Sequence, residues 1–189
     1  MEVLLIVVGL VLVVSYFWYA SIIGKRNKAQ ESLSGIDVQL TMRSELIPNI
    51  LAIARKFMEH EKTLITQITE LRTRADAPYD KADPSQVREH IAAAEMLGTQ
   101  MGALKIAVEA YPTLKSDQTM MEAMRSYNEV EAQLAAARRF YNASVTALNN
   151  AVQIFPGTII ASIAGVAEMP FFQADPSARA PVHATEHLG

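Results

Sequence analysis

An uncharged apolar run at residues 3–23 limits what this chain can fold into more than any other feature. At a helical rise of about 1.5 Å per residue, such a run covers about 30 Å, which is the thickness of the hydrocarbon core of a bilayer. Tyr16, Trp18 and Tyr19 cluster near its end, where amphipathic rings prefer the membrane interface. We therefore predict that residues 1–24 form a transmembrane anchor.

Two other structures compete with an anchor at this position. A cleaved signal peptide has a basic start and an apolar stretch of about 7–15 residues, whereas this chain starts with Met1 and Glu2 and its run is longer. A buried core helix would show a polar face, and this run has none. Lys25, Arg26 and Lys28 follow the run and no basic side chain precedes it, so the positive-inside rule predicts an outside N-terminus and a cytoplasmic domain.

The composition predicts one all-α domain after the anchor. The chain has 189 residues, a net charge of −3 and no cysteine. Disulfides, Cys-ligated zinc and thiol nucleophiles are therefore excluded, and without a basic excess we predict no nucleic-acid partner. Helix-forming residues dominate, and no strand-like alternation occurs. We predict a helical bundle over residues 25–172 and a disordered tail over residues 173–189, which has too little apolar content to pack.

The spacing of apolar residues predicts an up-and-down bundle of three long helices plus a short fourth C-terminal helix. The three-four spacing of the first helix continues in phase past Pro48, which predicts a kink there and not an end. Asp83 precedes Pro84, the usual order of an N-cap and a first helical residue. The predicted helices cover residues 25–74, about 84–110, about 117–154 and 158–166.

Several sequence blocks occur in the order of a known family and together span about residues 1–175. They are IDVQLTMRSELIPN at 36–49, EAYPTLK at 109–115, AARRFYN at 136–142 and FPGTIIASIAG at 155–165. In these blocks the chain resembles the LemA family of bacterial single-pass membrane proteins, which carry a helical bundle after an N-terminal anchor. The resemblance implies that fold and a location in the bacterial cytoplasmic (inner) membrane. It implies no particular activity.

The sequence offers no motif for catalysis, for a metal or for a cofactor, and we predict that the protein is not an enzyme. A metalloprotease HExxH motif starting at His60 would need a second histidine at position 64, where the chain has Leu64. A di-iron site in a helical bundle needs Glu-x-x-His. The residue three before His60 is Phe57, and the residue three before His90 is Val87.

Four charged residues interrupt the apolar spacing and form a polar seam, in which buried charges usually pair with each other. They are Arg43, Glu61, Glu131 and Arg138. In a three-helix bundle the first and third helices are parallel, and residue n of the first lies near residue n + 69 of the third, give or take roughly two turns. This register predicts a Glu61–Arg138 ion pair. It directs Arg43 to the connection around Asp117, because pairing with Glu131 would need a much larger shift.

The same register leaves part of the first helix without a partner, although its apolar stripe continues there. The stripe consists of Leu33, Ile36, Leu40 and Ile47. An unpaired apolar stripe in water marks an interaction surface. Either the C-terminal segment covers it or another protein does, and the simplest other protein is a second copy. We therefore predict self-association through this stripe.

These observations favour a non-enzymatic, membrane-anchored scaffold or adaptor at the cytoplasmic face of a bacterial membrane. Its expected partners are the lipid bilayer and either a second copy or another membrane protein. The alternative is a sensor or ligand-binding module with a pocket between the helices, for a small molecule that the sequence does not identify. The pocket would be lined by Glu61, Tyr127, Glu131, Arg138 and Tyr141. A hydrolase is a distant third, since it would need a nucleophile–base pair that no motif shows.

Overall fold

The computed structural model describes residues 1–172, and in this part of the chain every regular element is a helix. The predicted all-α class, with an apolar N-terminal helix followed by a helical bundle, is confirmed. The predicted disordered tail, residues 173–189, lies outside the described residues. The helices are α1 (Glu2–Phe57), α2 (Lys62–Ala75), α3 (Pro84–Val108), α4 (Pro112–Lys115), α5 (Gln118–Gln153) and α6 (Gly157–Ala164).

Helix α1 joins the apolar run to the bundle without a break. It has 56 residues and passes through both Gly24 and Pro48. Within residues 1–172 it is the one helix that is by itself long and apolar enough to cross a membrane. Side chains of the apolar run such as Leu5 and Leu12 are 67% and 65% exposed, as a surface that faces lipid requires. The apolar part of α1 therefore has the length and the surface of a membrane span.

A turn at residues 58–61 divides the first predicted helix in two. The amide of Met58 still donates to Ala54, but α2 then starts at Lys62 and runs back along α1. The hydroxyl of Ser44 donates to Asp76 at 2.6 Å and accepts from Arg72 Nε at 2.9 Å, which ties the end of α2 to the middle of α1. The prediction of one helix over residues 25–74 is therefore wrong.

Because of the additional turn, every later helix runs in the direction opposite to the predicted one. Asp83 caps α3 as predicted, since its carboxylate accepts from the amide of Ser85 at 2.8 Å. Helix α3 runs parallel to α1, α4 makes a turn at the end of the bundle far from the anchor, and α5 returns. The Ser32–Ser144 hydroxyl contact of 2.9 Å and the Arg43–Glu131 contact of 3.2 Å both join α1 to α5, and the residue numbers rise along α1 as they fall along α5. These two helices are antiparallel, which corrects the parallel arrangement predicted for them.

The buried apolar side chains form two cores. The anchor-distal core lies among α1, α2, α3, α4 and α5 and is centred on residues such as Ile50 and Leu104. The anchor-proximal core lies between α1 and α5 and includes residues of α3 and α6 and of the non-helical segment that follows α6. Leu33, Ile36 and Ile47 are fully buried in these cores and Leu40 is 8% exposed. The stripe predicted to lack a partner is therefore covered within the chain itself: Leu33, Ile36 and Leu40 share a core with residues of α3, α5, α6 and the segment that follows α6, and Ile47 lies in the anchor-distal core.

Residues 165–172, called the C-terminal segment below, are held against α5 by side-chain amides. The amide of Asn149 donates to the carbonyl of Met169 at 3.0 Å and accepts from its amide at 2.9 Å. Asn142 makes the same pair of bonds to Phe172, at 2.9 and 3.0 Å. The hydroxyl of Tyr141 donates to the carbonyl of Pro170 at 2.9 Å. These bonds satisfy backbone groups that no neighbouring strand or helix pairs.

Candidate functional site

Arg43 is the most deeply buried charge of the bundle, with 1% of its surface exposed. It lies on α1 and donates from Nη1 to Glu131 Oε1 on α5 at 3.2 Å and from Nη2 to the carbonyl of Ala94 on α3 at 2.9 Å. A β-carbon at Gly98 would lie 3.4 Å from Nη1 of Arg43. The small residue at position 98 thus leaves room for the guanidinium. One side chain connects three helices.

Further charges surround this ion pair and balance it. Burial lowers the pKa of Arg138, the carboxylate of Glu131 opposes that effect, and the positive charge of Arg43 adds to it. Glu95 lies near enough to act on Arg138 as a second carboxylate. Burial and the charge of Glu131 both raise the pKa of Tyr127. The arrangement has two guanidinium groups and two carboxylates, and the hydrogen bonds of Arg43 within it link α1, α3 and α5.

The structure brings three of the four polar-seam residues together and leaves out the fourth. Arg43, Glu131 and Arg138 share the cluster. Glu61 occupies the N-cap position of α2, in the turn at residues 58–61. The predicted Glu61–Arg138 pair is wrong, and the Arg43–Glu131 pair that the register argument rejected is the one that forms. Asp117, the expected partner of Arg43, instead caps α5 by accepting from the amide of Met120 at 2.9 Å.

The residues predicted to line a ligand pocket do not enclose one cavity. Tyr127 is 6% exposed in the anchor-distal core, whereas Tyr141 is fully buried in the anchor-proximal core. Glu131 and Arg138 are engaged in the charge cluster, and Glu61 lies at the turn before α2. A pocket made of these five side chains is therefore not available.

A different cleft, which sequence reasoning missed, lies between α1, the α2–α3 connection and α3. It has a volume of about 530 Å³, and we call it the Asp37 cleft. Asp37 accepts from the hydroxyl of Tyr79 at 2.8 Å and pairs with Lys81 at 2.6 Å. His90 Nε2 lies 3.4 Å from Asp37, and its ring stacks on Tyr79 with centroids 4.0 Å apart. These contacts attach the α2–α3 connection to α1.

The environment of Asp37 favours its ionised form. Burial alone would raise its pKa, but the contacts from His90, Lys81 and Tyr79 outweigh burial and lower the pKa from its ordinary value of 3.8. Tyr79 and Lys81 thus satisfy the carboxylate of Asp37, whereas Nε2 of His90 is buried beside it without a hydrogen bond. Within residues 1–172, no three His, Asp or Glu side chains are grouped so that they could hold a metal ion.

The lowered pKa of Asp37 predicts a pH dependence of stability. A group with a depressed pKa in the folded state stabilises the fold above its unfolded pKa, and that contribution is lost as the pH falls through the folded value. We expect Asp37→Asn to lower the free energy of unfolding by about 1 kcal/mol at neutral pH, because Tyr79 and Lys81 lose a charged acceptor. The stability lost as the pH falls from above to below the ordinary pKa of 3.8 should then be smaller than in the unmodified protein.

Denaturant titrations of the full-length protein in detergent micelles, followed by circular dichroism at several pH values, measure this effect. Glu70→Gln is the matched control, since Glu70 is an exposed carboxylate of the bundle that does not line the Asp37 cleft. The control should keep the pH slope of the unmodified protein. An Asp37→Asn variant with that same slope would contradict the assignment.

Comparison with known proteins places the chain among helical membrane proteins. The sequence profile of the LemA family matches residues 32–185. Magnetosome proteins MamQ 1 and MamQ 2 of Paramagnetospirillum magneticum are 33% identical over 85 residues, which cover 45% of this chain and 31% of each relative. Magnetosome protein MamQ of Magnetospirillum gryphiswaldense is 32% identical over 85 residues, with the same coverage. The chain thus spans about a third of the length of these curated relatives.

Proposed function

The chain belongs to the LemA family, and on that premise we propose that it is a non-enzymatic scaffold or adaptor anchored at the cytoplasmic face of a bacterial membrane. In this proposal residues 1–24 lie in the lipid and residues 25–172 form the working domain. Helix α1 passes through both parts without interruption, so the two parts differ in whether lipid or water surrounds them.

The unbroken course of α1 is the observation that carries the proposal. From Ile23 to Phe57 the helix extends about 50 Å at a rise of about 1.5 Å per residue. Helix α5 packs antiparallel along much of this length, and the Arg43–Glu131 pair fixes the register. A stiff element of this kind holds the anchor-distal end at a set distance from the bilayer, which suits a protein that positions a partner.

The chemistry of the described residues supports a role without catalysis. The central charges of the two polar sites described above are paired, Arg43 with Glu131 and Asp37 with Lys81. Neither the family description nor the names of the MamQ relatives refer to a reaction. Near the anchor-distal end, α5 carries an open, shallow surface lined by Met121, Met124, Arg125, Asn128, Glu129 and Ala132. Flexible methionine side chains suit the binding of a protein partner.

The cytoplasmic placement rests on charge. Lys25, Arg26 and Lys28 follow the apolar run directly, and basic residues beside a span are retained on the cytoplasmic side.

Self-association stays a prediction, but the apolar stripe first assigned to it is not available for it. Because Leu33, Ile36 and Ile47 are fully buried, two copies would have to meet through other residues.

Site-specific cross-linking in the bacterial membrane tests the proposal. We expect a photo-reactive residue at Ile106 or Met121, which are 75% and 53% exposed near the anchor-distal end, to yield one and the same cross-linked protein. Val38, 52% exposed in the middle of α1, is the matched control and should not yield it. A cross-link between two copies would show self-association. Uncross-linked protein at every position would contradict the scaffold role.

The same positions test the side of the membrane. A Met121→Cys variant should resist a membrane-impermeant maleimide in intact cells and react after lysis, since the chain has no other cysteine. Reaction in intact cells would contradict the cytoplasmic placement.

A ligand-binding role is the second candidate, and the Asp37 cleft is the observation that favours it. Its volume of about 530 Å³ is in the range of small-molecule sites. A ligand would have to compete with Tyr79 and Lys81 for Asp37. For that reason the scaffold role is the better supported of the two.

A further inference from the structure

The chain carries a second apolar region in residues 140–167, far from the anchor in sequence. No charged residue occurs between Arg139 and Glu168. This stretch includes the end of α5, a turn through Phe155 and Pro156, and helix α6, which bends away from α5 by 102°.

Helix α6 lies beside the membrane-spanning part of α1. A β-carbon placed on Gly157 would lie 3.8 Å from Cδ1 of Ile22, so α6 begins where the span ends. An apolar groove of about 340 Å³ continues from there along the span. Its walls are Leu10, Val11, Val14, Ser15 and Trp18 on one side and Phe155, Pro156, Ile159 and Ile160 on the other. The groove thus reaches the middle of the apolar run.

The outer face of this region is as apolar as the inner one. Ile163 is 83% exposed, Phe155 75%, and Ile154 and Ile159 are more than half exposed. Large apolar side chains grouped on a surface mark a contact with something other than water. Their position beside residues 10–18, within the apolar run that spans the bilayer, identifies the contact as the acyl chains of lipids.

The backbone of the region suits such surroundings, since a polar group without a partner is costly in hydrocarbon. The amide of Gly157 donates to the carbonyl of Ile154 at 2.7 Å. At the other end the amides of Gly165 and Val166 donate to Ser162 and Ala161 at 3.3 and 2.9 Å. Gly165 adopts a left-handed conformation with φ of 63°, which closes the helix and directs the chain back along α5.

We propose that α6 and the turn at residues 154–156 insert into the bilayer beside the anchor, in the leaflet on the side of the bundle. The protein is then held by two membrane-inserted elements, one spanning and one dipping in and returning. The C-terminal segment, bonded to Asn149 and Asn142, leads the chain out again. This inference rests on the membrane anchoring in the proposed function.

Single-cysteine labelling of the full-length protein tests the insertion, because the chain has no cysteine of its own. A fluorophore would be attached to Ile163→Cys in vesicles of phosphatidylethanolamine and phosphatidylglycerol that contain acyl-chain spin-labelled lipid. Leu12→Cys in the span and Met121→Cys far from the anchor are the controls, and these side chains are 65% and 53% exposed. We expect position 163 to lose most of its fluorescence, as position 12 does, while position 121 is quenched by aqueous iodide instead.

The controls separate the possible failures. Quenching at position 163 by iodide alone, with position 12 quenched by lipid, would overturn the insertion and leave the anchor intact. Protection of position 163 from both quenchers would overturn it in favour of a second copy or another protein covering α6. Absence of lipid quenching at position 12 would overturn the anchor itself. Ile159→Cys provides a second site if the first variant does not fold.

Discussion

Replacing Glu131 with leucine is expected to lower the free energy of unfolding by about 3 kcal/mol, since it leaves the buried guanidinium of Arg43 without its carboxylate. Arg43 is 1% exposed and has no access to water that could replace the lost partner. The expected loss is at the low end of the range for buried pairs, because the side chain of Glu131 is 31% exposed. Denaturant unfolding of the full-length protein in detergent micelles measures it.

A double variant separates the charge from the packing. In Arg43→Met with Glu131→Leu both charges are gone, and most of the lost stability should return, because apolar side chains of similar size can replace a buried ion pair. Glu129→Leu is the matched control: its carboxylate pairs with Arg125 four residues away on the same helix, but both side chains are more than half exposed. The control should cost less than about 1 kcal/mol. Equal losses for Glu131→Leu and Glu129→Leu would contradict a buried pair.

Asn149→Ala is expected to lower the free energy of unfolding by about 3 kcal/mol, because two buried backbone groups of Met169 lose their partner at once. The neighbouring Asn150→Ala is the matched control, since Asn150 is exposed. Hydrogen exchange gives a more local measure. The amide of Met169 should exchange faster in Asn149→Ala, while amides in the anchor-distal core keep their protection. Unchanged exchange at Met169 would contradict the role given to Asn149.

Much of the fold could be predicted from the sequence, because long apolar periodicities and helix caps are local signals. The N-cap at Asp83 and the short helix α6 both follow from residues close together in the chain. The turn at residues 58–61 has no such signal. It contains neither glycine nor proline, and the apolar spacing from Phe57 to Leu64 and Ile68 continues in phase across it. The sequence there predicts one continuous helix.

That single missed turn accounts for most of the errors at the candidate site. One additional reversal makes α5 antiparallel to α1 instead of parallel, so Arg43 meets Glu131 and not the region of Asp117. The same reversal supplies a partner for the stripe at Leu33 and Ile36. The apolar spacing is enough to identify the charged residues of the polar seam. Which of them pair with one another depends on whether the helices run parallel or antiparallel.

Sequence reasoning does not find the Asp37 cleft, or the hydrogen bonds from Asn142 and Asn149 to the C-terminal segment, for a different reason. Asp37 and Tyr79 come from distant parts of the chain, and no spacing rule relates them. Asn142 and Asn149 bond to backbone groups of a segment without regular structure. Side chains that bind backbone leave no complementary residue in the sequence by which they could be found.

Because α1 continues through Gly24 without a break, a tilt of the membrane span also tilts the part of the helix that lies outside the bilayer. A span that is longer than the local hydrocarbon thickness tilts, and its tilt changes when the lipid composition changes. With about 50 Å of stiff helix beyond Ile23, a change in tilt of about 10° displaces Phe57 sideways by about 9 Å. A small difference in bilayer thickness therefore becomes a large difference in where the far end of the protein can reach.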